Sequence, residues 1–362
     1  MITFESVTKR FPDGTVAVDD LSLEAPMGRI TVFVGPSGCG KTTTLRMINR
    51  MIEPSSGRIL IDGDDIAALD AARLRRGIGY VIQNAGLFPH RTVLDNVTTV
   101  PRLLGEDRKA ARSRAVDLME RVGLDSSLAD RYPNQLSGGQ QQRVGVARAL
   151  AADPPIMLMD EPFSAVDPIV REQLQEEFLR LQDELDKTIV FVTHDIDEAV
   201  KLGDQVAVFA VGGTLAQLDT PRRLLDNPND DFVADFVGRD RGFRALGFES
   251  SRVPIEAAPT VRLDERAPAD APWVVVLDAD DRPLGWVEPH RLDGPVTSPV
   301  VHRGSTVGRA DGPLRGLLDA ALSSPAGLGL VADDEGRFLG TVRPEAVLAA
   351  IEGARLRREA AS

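Results

Sequence analysis

The chain of 362 residues contains one cysteine, Cys39, so no disulfide can form within it. That fits a reducing compartment. No apolar run approaches the roughly 18 residues needed to span a bilayer, so any link to a membrane is expected to go through partners. The start, M-I-T-F-E-S-V, lacks a basic segment followed by an apolar one, and no signal peptide is expected. Positive charge is in deficit: 42 Lys and Arg stand against 55 Asp and Glu, a formal net charge of −13. Broad nucleic-acid binding needs a basic footprint, so nucleic acid is not an expected partner, and the acidity reads as a solubility surface. A long coiled coil is not expected either, because no heptad run is sustained. Only four histidines occur, and none gathers with His194 or Cys39. A His/Cys metal cluster and a Cys–His nucleophile are therefore not expected.

What is present is a chain of ordinary globular composition, 43% hydrophobic, long enough for two or three domains. Residues 1 to about 237 alternate strand and helix signals. Ile30–Val34, Pro155–Met159, Ile189–Thr193 and Gln205–Val211 are short apolar runs that read as buried strands. Between the first two, Thr42–Met51 carries Leu45, Ile48 and Ile52 at helical spacing and should stop at Glu53-Pro54. Such alternation predicts an α/β core with a parallel sheet, and Gly212-Gly213 predicts a hairpin turn after its last strand. About 86–153 is helix-rich and reads as an inserted helical subdomain. There Ala111, Ala115, Leu118, Met119 and Val122 mark one helix face, which Gly123 ends. Val170, Leu174, Phe178, Leu181 and Leu185 form a further apolar stripe on a helix opened by Asp167-Pro168.

The pattern breaks at about 238–249, read as a linker. The remainder, 250–362, contains two weakly similar units, W-V-V-V-L-D-A-D-D-R-P-L-G-W-V from Trp273 and L-G-L-V-A-D-D-E-G-R-F-L-G-T-V from Leu328. Each reads strand, acidic turn, strand, with a glycine, Gly285 or Gly340, before an apolar pair. That is an internal duplication of low identity, and the first unit lacks a long helix.

Three segments carry chemistry. Gly35–Thr42 reads G-P-S-G-C-G-K-T, a match to G-x-x-x-x-G-K-[ST] between a strand and a helix. Its glycines let backbone N–H groups approach phosphate oxygens, and the helix N-terminus favours an anion. Lys41 would reach the β- and γ-phosphates and Thr42 would ligate Mg²⁺. Asp160 follows a strand, at the end where an α/β sheet binds ligands; it suits a Mg²⁺ shell, with Glu161 beside it to orient and activate water. Leu136–Arg143 reads L-S-G-G-Q-Q-Q-R, where Ser137 can cap a helix and the paired glycines expose N–H groups to an anion.

Together these motifs resemble the ATP-binding subunits of ABC transporters. The resemblance covers about residues 1–237 and implies a P-loop NTPase fold. It implies roles one residue at a time. Gly35, Pro36, Ser37, Gly38, Cys39, Gly40, Lys41, Thr42 and Thr43 match the Walker A loop and the nucleotide contacts that follow it. Ile156–Asp160 matches Walker B, with Glu161 as the catalytic carboxylate. Ser137, Gly138, Gly139 and Gln140 match the signature that completes the partner's ATP site. Gln83, in Y-V-I-Q-N, matches the Q-loop glutamine that touches Mg²⁺ and water. Asp167 ends the D-loop segment that begins at Ser164. His194, in V-T-H-D, matches the switch histidine on the γ-phosphate, and Phe11 the aromatic that stacks on adenine, where Tyr is more usual. ATP and Mg²⁺ are the implied cofactors. The implied partners are a second ATPase subunit in a homodimer, transmembrane permease subunits, and an extracytoplasmic substrate-binding protein acting with them. The implied location is the cytoplasmic face of the cell membrane, held through the permease.

Finer resemblance lies in M-I-N-R-M-I-E-P-S-S-G, R-R-G-I-G-Y-V-I-Q, G-L-F-P-H and T-V-P-R-L-L-G, which are similar to importers of glycine betaine, carnitine, choline and proline. In that subfamily the ATPase carries a C-terminal pair of CBS-type units, small α+β folds, and the duplicated tail is similar to a degenerate pair. Nucleotide-binding units usually place a Ser/Thr and an Asp after the last strand. Here the segments read G-W-V-E-P-H and G-T-V-R-P-E, which leaves ligand binding and a structural or dimerising role both open. Polyamine, sugar and amino-acid importers are alternative cargo classes, though sugar and polyamine relatives commonly carry an OB-like C-terminal domain. A soluble translation or DNA-repair ATPase usually has two ATPase units or a coiled-coil insertion, and this chain has neither.

Overall fold

A computed structural model describes residues 1–83, 86–164 and 166–361. Asn84 of the Q-loop match and Ala165 of the D-loop match lie outside the described residues. The chain divides into two compact units, Met1–Gly238 and Arg239–Ser362.

Among the described residues the first unit holds ten strands: β1 (Ile2–Arg10), β2 (Val16–Ala25), β3 (Ile30–Val34), β4 (Ser56–Ile61), β5 (Asp64–Asp65), β6 (Ile78–Val81), β7 (Ile156–Asp160), β8 (Thr188–Val192), β9 (Gln205–Ala210) and β10 (Thr214–Asp219). Six of them form one sheet in the order β10-β9-β3-β8-β7-β6. Every pair from β9 to β6 is parallel, and β10 returns antiparallel through Gly212 and Gly213, both at positive φ. β3, β7 and β8 are buried along their whole length. Continuous apolar runs are what a sheet covered on both faces requires.

The alternating strand–helix reading does not extend to the N-terminus. β2-β1-β4-β5 form a separate antiparallel sheet. Phe4 of that sheet packs edge-on to Phe33 of β3, ring centroids 6.5 Å apart, and Phe33 meets Phe209 of β9 at 5.2 Å. The two sheets thereby share one core with Leu45, Met47 and Ile48.

The helices include α1 (Lys41–Ile48), α2 (Arg108–Arg121), α3 (Gly138–Leu150), α4 (Pro168–Leu185) and α5 (Ile196–Leu202) in the first unit, and α6 (Leu314–Ser323) and α7 (Pro344–Ala361) in the second. α1 ends three residues short of the expected Met51 because Arg50 turns left-handed, φ 53°. On α2, Ala111, Ala115, Leu118 and Met119 are buried as their spacing requires, and Gly123 follows at φ 70°. On α4 only Leu174, Phe178 and Leu181 of the expected stripe are buried; Val170 and Leu185, at the two ends, are half-buried.

The second unit contains two sheets of the same design: β11 (Thr260–Arg262), β12 (Val274–Leu277), β13 (Pro283–Val287), and β14 (Val307–Arg309), β15 (Gly329–Ala332), β16 (Phe338–Val342). In each, the first pair is parallel and the second antiparallel. The acidic turns match atom for atom. Asp278 Oδ1 accepts from the N–H groups of Asp280 and Arg282, and Asp333 Oδ1 from those of Glu335 and Arg337. Gly285 and Gly340 sit at φ 142° and 153°, where a Cβ would lie 2.2 Å from the His302 carbonyl and 2.6 Å from that of Glu256. Those close approaches let His302 pair with Trp286, and Glu256 with Thr341. Both α6 and α7 follow the first repeat, so only the second repeat has long helices.

The stretch 238–249 is not a linker. Arg241–Ala245 is helical, and Phe243 and Leu246 pack on the cluster built from Leu314, Leu317, Val331 and Val342. Its arginines and glycines made it look open, while its two apolar contacts fix it to the second unit. Among the described residues no helix is long and apolar enough to cross a membrane.

Candidate functional site

Parallel pairing puts the C-terminal ends of β3, β8, β7 and β6 side by side, in that order. The segments leaving those ends are Gly35–Gly40, Thr193–His194, Glu161 and Ile82–Gln83. Residues far apart in sequence therefore meet along one edge of the sheet, the edge where parallel α/β sheets hold ligands.

The loop between β3 and α1 is shaped by glycines. Gly40 has φ 96°, and a Cβ there would lie 2.0 Å from the Ala17 carbonyl. Lys41 is 6% exposed. Its Nζ donates to the carbonyls of Gly35 (2.7 Å) and Pro36 (3.0 Å), so the ammonium is held inside the loop. Ser37 and Gly38 are exposed on the loop's rim, while Thr42 and Thr43 are half-buried on the first turn of α1. Cys39 is fully buried, with Sγ 3.6 Å from Lys41 Nζ. Its thiol faces the protein, so only its backbone can face a ligand.

Thr42 Oγ1 donates to Asp160 Oδ1 at 2.8 Å, and Arg46 lies 3.8 Å from Asp160 Oδ2. Burial pushes the Asp160 carboxyl above its ordinary value, against the opposing pull of the Thr42 hydroxyl, Arg46 and Lys41. Next in the chain, Glu161 takes a left-handed backbone, φ 47°, rare for a residue with a Cβ. Its N–H donates to the Val192 carbonyl at 3.0 Å, which ties the end of β7 to β8. Its side chain then meets two others: Gln83 Nε2 donates to Oε2 at 3.4 Å, and His194 Nδ1 lies 3.2 Å from the same oxygen. Strained backbone of this kind persists where the surrounding structure over-determines it and clusters at functional sites.

Other expected residues lie apart from this group. Ser137 and Gln140 hydrogen-bond each other as a capping box at the start of α3. Ser137 and Gly138 are exposed and Gly139 is half-buried. Gly139 presses on α4, where a Cβ would be 3.0 Å from Val170 Cγ1. Asp167 caps α4, its Oδ1 accepting from the Val170 N–H. Phe11 follows β1, with Lys9 Nζ 5.3 Å from its ring centroid. Reading motifs singly missed Arg46, one turn into α1; Ser164, which opens the D-loop match, donates from its Oγ to the Glu161 carbonyl at 2.9 Å. Helical spacing from Thr42 was the available signal for Arg46.

A glycine-shaped loop before a helix, a partly buried Thr–Asp pair and a Gln–Glu–His group on one sheet edge fit a P-loop ATPase, and residues 18–164 match the ABC transporter family. The chain belongs to the ATP-binding subunits of the ABC transporters, and it is an ATPase. It closely resembles osmoprotectant importer ATPases. The osmoprotectant import ATP-binding protein OsmV of Salmonella typhimurium is 44% identical over 376 aligned residues, covering 99% of this chain and 98% of its relative. The glycine betaine/carnitine/choline transport ATP-binding protein OpuCA of Bacillus subtilis is 53% identical over 241 residues, 67% of this chain and 63% of that one. Among solved structures, a dimeric ATP-binding cassette in a post-hydrolysis state, bound to ADP and Pi, is 35% identical with a TM-score of 0.56, covering 61% of this chain and 99% of the other.

Proposed function

We propose that this chain is the ATP-hydrolysing subunit of an importer for quaternary-amine osmoprotectants of the glycine betaine, carnitine, choline and proline class. One observation carries the cargo class: the likeness to an osmoprotectant import protein extends over both units of the chain. In this reading two copies pair head to tail. Each ATP lies between the Lys41 loop of one copy and Ser137–Gln140 of the other, with Asp167 at the seam and Phe11 against adenine. The exposure of Ser137 and Gly138, away from their own phosphate loop, supports a site completed by a second copy.

Thr42 Oγ1 and Asp160 Oδ1 present hard oxygens 2.8 Å apart, a donor set that fits Mg²⁺, which takes few protein ligands and leaves the rest to water and phosphate. Gln83 is the third residue assigned to it. The ion supplies charge neutralisation on the phosphate oxygens. Glu161 accepts a proton from the attacking water, His194 fixes the γ-phosphate, and Lys41 balances charge on the β- and γ-phosphates. Phosphoryl transfer asks mainly for positioning and charge, which is what these side chains offer.

A groove of about 480 Å³ opens beside β6, lined by Arg75, Tyr80, Gly86, Phe88, Val100 and Arg148 among others. It lies next to Gln83 and suits a permease segment, so closure of the ATPase pair would pull on the membrane subunits, and the chain would sit on the cytoplasmic face through them. Residues 250–362 fit a degenerate CBS-like pair, supported by the repeated sheets and acidic turns. Calorimetry on the cognate substrate-binding protein tests the cargo. Binding of at least one of glycine betaine, choline, carnitine or proline is expected, and folded protein that binds none would refute the class.

Ionised Asp160 is costly to bury, so its native carboxyl holds a proton at pH values where the unfolded chain has lost it. Stability should therefore fall as pH rises from the ordinary carboxylate value through the raised native one. Asp160→Asn removes that penalty at neutral pH. The variant is expected to melt at a higher temperature than the parent without nucleotide while losing on the order of 100-fold in turnover. A lower melting temperature with unchanged turnover would contradict both roles.

A further inference from the structure

A buried acid lies outside the residues given tasks above. Glu198 on α5 is 6% exposed, and burial raises its carboxyl above the usual range. Both of its oxygens are occupied. Thr193 Oγ1 donates to Oε2 at 2.6 Å, and Gln175 Nε2 donates to Oε1 at 3.1 Å. Thr193 directly precedes His194, and its hydroxyl also accepts from the Asp195 N–H at 3.0 Å. Gln175 belongs to α4. One turn earlier on that helix, Arg171 Nη2 donates to the Val166 carbonyl at 3.0 Å, and its Nη1 lies 4.0 Å from Asp195 Oδ2. Residues four apart share a helix face. His194 is therefore flanked on both sides, at 193 and at 195, by groups tied to one face of α4.

The His194 side chain itself is 59% exposed. Packing cannot hold an exposed imidazole, so its aim depends on the backbone that carries it. Filling the space under that loop needs only an apolar side chain, with no charge to desolvate. A carboxylate with a donor on each oxygen adds what an apolar residue cannot, a directional link between α4 and Thr193.

We propose that Glu198, Gln175 and Arg171 are positioning residues which brace the His194 loop against α4, so that His194 and the segment entering α4 at Val166 and Asp167 keep a fixed relation. The inference rests on the reading of His194 as the γ-phosphate contact. Its consequence is specific to the chemical step. Loosening the brace misplaces His194 without touching the phosphate loop, so turnover falls and nucleotide affinity does not.

Thr193→Val is nearly isosteric and removes both hydroxyl bonds. In the full-length protein it is expected to lower kcat about tenfold or more while KM for ATP stays within about threefold. Thr193→Ser, which keeps the hydroxyl, should recover most of the loss. A Thr193→Val protein with kcat within about twofold of the parent would overturn the brace. So would a Ser variant as slow as the Val variant, since keeping the hydroxyl would then restore nothing. If Thr193→Val does not fold, Gln175→Met, which removes the donor to Glu198 Oε1, carries the same expected split and the same overturning result. His194→Ala run in parallel separates the two claims: normal turnover there removes the reading of His194, whereas loss there with none in Thr193→Val overturns the brace alone.

Discussion

Glu161→Gln is expected to bind MgATP normally, to accumulate as an ATP-bound closed dimer, and to lose about 100- to 10,000-fold in turnover, the range spanned by removal of a positioned general base. The substitution keeps the shape of the side chain and removes only its charge and basicity. The neighbours explain why little else should change. Glu161 is held by its backbone, through the N–H to the Val192 carbonyl and the Ser164 hydroxyl on its own carbonyl, and neither contact involves the carboxylate. What the carboxylate does contact is Gln83 Nε2 and His194 Nδ1, the two side chains assigned to water and the γ-phosphate. Neutralising it also removes repulsion between an anion and the triphosphate, so the closed state should last longer. Size-exclusion chromatography in MgATP would show the dimer, and phosphate release would show the lost turnover. A variant with parental ATPase activity would refute the role of Glu161.

The sheet edge that carries the candidate site was legible in the sequence because each of its parts is local. Gly35–Thr42 needs only a strand before it and a helix after it, and Asp160 needs only to end an apolar run. Parallel strands then bring such ends together whatever their order in the chain. The N-terminal sheet was not legible in the same way. β1 pairs with β2 and with β4, and the second of these pairings reaches across β3 and α1; no local pattern specifies it. The helix at Arg241–Ala245 was hidden for a related reason. Its sequence is rich in Arg and Gly, and Phe243 and Leu246 acquire a partner only when Leu314 and Val342 arrive from far downstream. In the tail the duplication was visible in the acidic turns and in Gly285 and Gly340. The cross-links that use those glycines, Trp286 with His302 and Thr341 with Glu256, each reach from a repeated segment to a residue outside both. The same limit applied to Glu198: nothing in D-I-D-E-A marks the fourth residue as buried, and only the packing of α5 against α4 reveals it.

Lys41→Ala is expected to act at the earlier step, weakening ATP itself by roughly 10- to 100-fold, the equivalent of about 1.5 to 3 kcal/mol for hydrogen bonds to a charged group. Without nucleotide the ammonium is satisfied by the Gly35 and Pro36 carbonyls, 2.7 and 3.0 Å away. ATP therefore does not encounter a bare charge; its phosphates compete with two loop carbonyls. The anion wins because a phosphate adds full charge–charge attraction to the ammonium's hydrogen bond, whereas a carbonyl offers only a dipole. Truncation at 41 also leaves those carbonyls without their donor, so some loss of affinity could arise from a collapsed loop alone. The length of the phosphate chain separates the two causes. AMP has neither the β- nor the γ-phosphate, so its affinity should be nearly unchanged if Lys41 acts through those groups, while ATP and ADP both weaken and ATP weakens most. Fluorescent analogues of the three nucleotides, titrated against parent and variant, give the comparison. Equal losses for AMP and ATP would show that Lys41 shapes the loop and does not hold the phosphates.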